Sequence, residues 1–122
     1  MMRTLINSAL SMLILASAHS YANGDSLKET CYQSMRYNVY VQLAGNAYSR
    51  NDAADFEREA MDSGNWQGID GAETKRMIAM SSGNPSSAQF SMQYQNDESF
   101  AKAYSSGYIN DCLAHPDKYI SR

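Results

Sequence analysis

The residues that most recognisable activities require are scarce in this chain. Its 122 residues include two cysteines, two histidines, two prolines and one tryptophan. No Cys-x-x-Cys spacing lowers a thiol pKa, and no His or Cys spacing supplies the three protein ligands of a zinc site, so neither metal nor cofactor is expected. His115 stands directly before Pro116 at an expected helix end, where favourable contact with the helix dipole explains it better than catalysis does. Serine pairs such as Ser81-Ser82 and Ser105-Ser106 have neither an associated base nor a Gly-x-Ser-x-Gly elbow. Lysine and arginine form no cluster able to track phosphates, which argues against nucleic acid as a partner. Nor does any apolar run reach the length of a membrane span.

What is present begins with an export signal. Arg3 supplies a short positive region, and Leu5 to Ala16 is an apolar segment of the length found in signal peptides. Small-residue cleavage patterns end at Ala18 and at Ala22. The second leaves Asn23-Gly24-Asp25 as a polar lead into the first helix, so residues 1–22 read as a signal peptide and 23–122 as a single domain. The remainder, 43% hydrophobic and 19% charged over the whole chain, suits one small globular core. An oxidising compartment favours a disulfide, and two half-cystines allow one intrachain pairing, Cys31 with Cys112.

Helical periodicity dominates. Leu27, Cys31, Met35, Val39, Leu43 and Ala47 recur every four residues on one slowly drifting stripe, which predicts a core-facing helix to about Tyr48, opened by a Ser26/Glu29 capping box. Tyr32, Tyr40, Ala44 and Tyr48 form a second row that widens its buried face, and Gly45 marks a close helix crossing. A mirror stripe, Phe100, Tyr104, Tyr108 and Cys112, lies in a helix from Glu98 to Ala114 capped by Asp97, with Ala103 and Gly107 small enough beside it for a helix to approach. Joined at their cysteines, the two helices run antiparallel, with Met35 beside Tyr108, Val39 beside Tyr104 and Leu43 beside Phe100. Between them the pattern predicts a helix near Ala53 to Met61 with a left-handed cap at Gly64, then a loop from Asn65 to Asp70. A third helix starts at Asp70 and stops at Gly83 and Pro85, and a short one spans Ser86 to Gln95. A short tail follows Pro116. The fold class is all-α: a bundle of four to five helices.

Binding chemistry concentrates in the middle. Trp66, set between Asn65 and Gln67 in a Gly-rich stretch, suits either a lid folded back over the bundle or a contact residue presented by a rigid scaffold. Met35, Met61, Met77, Met80 and Met92 serve either as core filler or as adaptable surface. Asp62 to Glu73 has the length of a calcium-binding loop, but Gly64 and Trp66 occupy ligand positions and Gln67 replaces the turn glycine. The signal peptide, Thr30-Cys31 and Cys112-Leu113-Ala114-His115-Pro116 together resemble the plan of small exported helical proteins whose early cysteine pairs with a late one. Periplasmic type VI amidase immunity proteins and the acid-stress chaperones of the bacterial periplasm share that plan.

Three functional readings follow. The leading one is a non-enzymatic periplasmic interaction module, an inhibitor or immunity partner of another exported protein, bound through Trp66, Asn65 and Gln67. The second is a stress chaperone for unfolded clients. A small cell-envelope hydrolase using Glu57, Glu59 or Glu73 is the third.

Processing is directly measurable. Intact-mass analysis of the exported protein should give an N-terminus at Asn23; a mass starting at His19 selects the other cleavage pattern, and one retaining Met1 contradicts a cleaved signal.

Overall fold

A computed structural model describes residues 24–47 and 50–120. Six α-helices follow one another: α1 (Gly24–Gly45), α2 (Arg50–Gln67), α3 (Gly71–Ser82), α4 (Pro85–Asn96), α5 (Glu98–Ala114) and a single turn, α6 (Pro116–Tyr119). The expected all-α bundle is therefore observed, with one helix more than expected because the tail after His115 coils again at Pro116, a residue pre-set for the first helical position. The expected signal segment and Tyr48 lie outside the described residues. Among the described residues no helix is long and apolar enough to cross a membrane.

The four-residue stripe of α1 is the core. Met35, Val39 and Leu43 are buried, and Phe56 of α2, Phe90 and Tyr94 of α4, and Tyr104, Tyr108 and Ile109 of α5 pack against them. Cys31 and Cys112, both fully buried, form the expected disulfide with 5.8 Å between their Cα atoms. Two hydrogen bonds extend the antiparallel register away from it: the Ser34 and Tyr108 hydroxyls meet at 2.8 Å, and the Tyr104 hydroxyl donates to Asn38 Oδ1 at 2.8 Å. Phe100, expected beside Leu43, packs edge-on to Phe90 at 6.0 Å. Closing a loop with a sequence separation of 81 removes denatured-state entropy worth about 4–5 kcal/mol in the chain-entropy model.

Every other helix touches α1, and consecutive helices touch one another, so α2 to α6 wrap around it. The backbone of α2 stays more than 8 Å, Cα to Cα, from those of α4, α5 and α6, and α2 joins α4 and α5 through the side chains, Phe56 among them, packed on the α1 cluster.

Local signals set most boundaries. Asp70 accepts a hydrogen bond from Ala72 N at 2.9 Å and Asp97 from Phe100 N at 3.0 Å, both at the expected helix starts. Asn84 caps α4 through Ser86 N, with Pro85 at its first position. Three expectations fail. Ser26 is not the start of α1, which begins at Gly24; Glu29 instead accepts from Gln33 Nε2 at 2.7 Å. Ala103 and Gly107 face solvent, and nothing lies within 4 Å of a side chain built on Gly107. Gly64 does not end α2, which continues to Gln67. A Cβ there would lie 2.9 Å from the Tyr37 ring and 2.9 Å from Thr74 Oγ1, so its missing side chain serves a helix crossing. The left-handed cap falls one turn later at Gly68 (φ 85°), where Gly68 N donates to Asn65 O and Ile69 N to Gly64 O, a Schellman pair.

Gly45 fulfils its expected role. An added Cβ would collide with Ser81 Oγ and stand 2.7 Å from the Ile78 carbonyl oxygen and 3.0 Å from Ser82 N, two backbone atoms of α3. Gly45→Ala should therefore lower stability by about 1–3 kcal/mol despite alanine's better helix propensity. Gly107→Ala, filling open space, should raise it by up to about 1 kcal/mol. Urea titrations with unchanged slope measure both; equal stabilisation by the two variants would contradict a tight α1–α3 crossing.

Candidate functional site

Toward its N-terminal end α1 leaves a stretch exposed, at Lys28, Glu29 and Tyr32. Tyr32 lies on it and is 45% exposed, contrary to its expected place on the widened buried face. One turn further along, the Arg36 side chain is only 17% exposed and ties the two helices together. Its Nε donates to Glu59 Oε1 at 2.8 Å, its Nη1 to Gln33 Oε1 at 3.1 Å, and Asp62 stands 3.9 Å from Nη2. Gln33 in turn donates to Glu29, so one guanidinium organises a five-residue network. Tyr40 stacks at a tilt on Phe56 at 5.8 Å, and burial, aided by nearby Tyr94 and Glu59, raises its pKa.

Trp66 occupies the last turn of α2 rather than the expected loop, and is 48% exposed. The Schellman pair at Gly68 fixes the backbone just beyond it. Asn65 beside it is also exposed. Gln67 points the other way: its Nε2 donates to Gln33 O at 3.2 Å and Ser63 O at 2.9 Å, holding α2 on α1. Tyr32 precedes Arg36 by one turn, and Trp66 follows Asp62 by one turn. Because α1 and α2 run antiparallel, with Glu59 on Arg36 and Gln67 on Gln33, both aromatics lie toward the same end of the helix pair, beyond the Arg36–Glu59 contact.

Two of the carboxylates offered for other chemistries, Glu59 and Glu73, are held in structural pairs. Glu59 binds Arg36, while Glu73 is chelated by Arg76 at 2.5 and 3.0 Å, which lowers its pKa chiefly through those hydrogen bonds. Of the residues from Asp62 to Glu73 all but Gly68, Ile69 and Asp70 are helical, and among the described residues no three His, Cys, Asp or Glu side chains converge as a metal site.

Every titratable group with a resolved shift moves away from neutrality. Burial pushes the Tyr104 hydroxyl up to about 12 and raises that of Tyr108, while Asp111 is lowered by hydrogen bonds from Tyr119 and Lys118. Tyr119 is pushed up to about 12 by its bond to Asp111. Such shifts lock groups in one protonation state, the opposite of tuning for proton transfer near neutral pH. The methionines divide: Met35 is core, whereas Met80 and Met92 are exposed. Among known proteins, no family model, curated sequence or solved structure matches the chain.

Proposed function

We propose that the protein is a non-enzymatic interaction module working in the periplasm, an inhibitor or immunity partner that engages another exported protein through Trp66 and Asn65, with Tyr32 exposed at the same end of the α1–α2 pair. The observation carrying this reading is the half-exposed indole at the capped end of α2. Truncating a tryptophan hot spot costs at least about 2 kcal/mol of binding, and such residues are effective when a rigid scaffold holds them, since little entropy is lost on docking. The Arg36 network and the Gly68 cap supply that rigidity. Gln67 contributes from beneath, by anchoring the helix end, rather than as a contact. The buried disulfide suits an oxidising compartment.

Immobilised, oxidised protein should retain one envelope protein stoichiometrically, and Trp66→Ala should weaken that capture at least about thirtyfold. Its melting temperature should stay nearly unchanged, because the indole is already half in solvent. Undiminished capture by Trp66→Ala, or a large fall in melting temperature, would contradict the assignment.

A further inference from the structure

A second surface, on the other side of α1 from Tyr32, carries a feature that the interaction reading does not use. Where α1, α3 and the start of α4 meet there is a half-open groove of about 340 Å³. Its apolar lining comes from Val41, Met77 and the 59%-exposed Met80. The Met80 thioether is held by Arg76 Nη1 at 3.0 Å, and that arginine is itself neutralised by Glu73. No carboxylate, lysine, arginine or histidine lines the groove.

Three amide side chains stand around it, each clamped at one end. Gln42 Nε2 donates to the Asn38 backbone carbonyl at 3.1 Å and to Asn38 Oδ1 at 3.2 Å. Asn38 Oδ1 also accepts from the Tyr104 hydroxyl, and Asn84 Oδ1 accepts from the Ser86 and Ser87 backbone amides. Partners of known polarity therefore fix the orientation of all three amides. The opposite ends, Asn38 Nδ2, Asn84 Nδ2 and Gln42 Oε1, bond to nothing else among the described residues. These two N–H donors and one carbonyl acceptor belong to side chains that line the groove together with its apolar floor.

We propose that this groove binds a short uncharged peptide segment. Two peptide carbonyls accept from Asn38 and Asn84, one peptide N–H donates to Gln42, and an aliphatic side chain rests on Val41, Met77 and Met80. Amides already clamped lose little freedom on binding, which favours such a ligand over one that must order the site itself. A carboxylate would find the nearest guanidinium, Arg76, already paired with Glu73, and an ammonium would find no carboxylate in the lining. The volume lies at the small end of the range for ligand pockets, about 300–1,000 Å³, matching one or two residues rather than a folded partner.

The test is an NMR titration of the oxidised protein with N-acetyl-leucine N-methylamide, following side-chain amides and methionine methyls. Saturable shifts at Asn38, Asn84, Met77 and Met80 are expected, with a dissociation constant on the order of 1 mM for a fragment of this size. Met80→Lys, at an exposed helical position, should weaken binding at least about tenfold, and N-acetyl-leucine with its free carboxylate should bind several-fold more weakly. The proposal is overturned if the blocked leucine gives no saturable shift up to about 20 mM, more than ten times the expected constant. It is equally overturned if the shifts fall at Trp66 instead, or if N-acetylglucosamine saturates the groove while the peptide fragment does not.

Discussion

The burial of α1 on most of its circumference is the constraint on which the rest of this structure depends. A 22-residue helix touches all five others, whereas the backbone of α2 stays more than 8 Å, Cα to Cα, from those of α4 and α5. Removing α1 would leave two separate groups of short helices joined only where α3 meets α4. Short isolated helices are marginal in water, so their stability has to come from packing on that shared element. The disulfide acts at the same place, fixing the N-terminal half of α1 to the C-terminal end of α5.

The interior that results is small and unusually hydroxylic. Beside Met35, Val39 and Leu43, the buried side chains include Thr30, Ser34, Ser63, Thr74 and Ser81. Hydrogen bonds make this tolerable: Ser81 Oγ donates to the Val41 carbonyl, Thr74 meets the Tyr37 hydroxyl, and Ser63 bonds back within α2. Small hydroxylated side chains also permit the close approaches that Gly45 and Gly64 require. A core of this kind contributes limited hydrophobic stabilisation, which is why a long-range covalent staple matters here.

Much of this architecture was legible because helical periodicity is a tertiary signal written locally. The stripe from Cys31 to Leu43 had to face a core, and two cysteines on mirror-image stripes set the antiparallel register. Asp97 and Pro116 bracketed α5 at its observed ends. Glycine is a more ambiguous signal. The absence of a side chain at Gly64 fits a helix end or a helix crossing equally, and only the Tyr37 ring and Thr74, brought in from other helices, decide between them. Moving that helix end by one turn carried Trp66 from an expected loop onto a capped helix and turned Gln67 inward. Tyr32 has core periodicity yet lies where the surrounding helices leave a gap, a property of the wrap and not of the sequence around it. The groove amides were invisible for a similar reason: Asn38, Gln42 and Asn84 look like ordinary surface residues until Tyr104 and the α4 backbone fix their orientation.

A scaffold that stakes its stability on one central helix is free to specialise its two exposed flanks, one aromatic and backed by an ion-pair network, the other amide-rimmed and uncharged. Native-state hydrogen exchange resolved by mass spectrometry tests the central role of α1 most directly. Amides of α1 between Cys31 and Leu43 should exchange only through global unfolding, with the same free energy as that from urea titration, while α2, α3 and α4 exchange at lower free energies. If α1 exchanged while the α2–α3 or α4–α5 pairs stayed protected, the helices would hold together without it, and the account of α1 as the common support would be wrong.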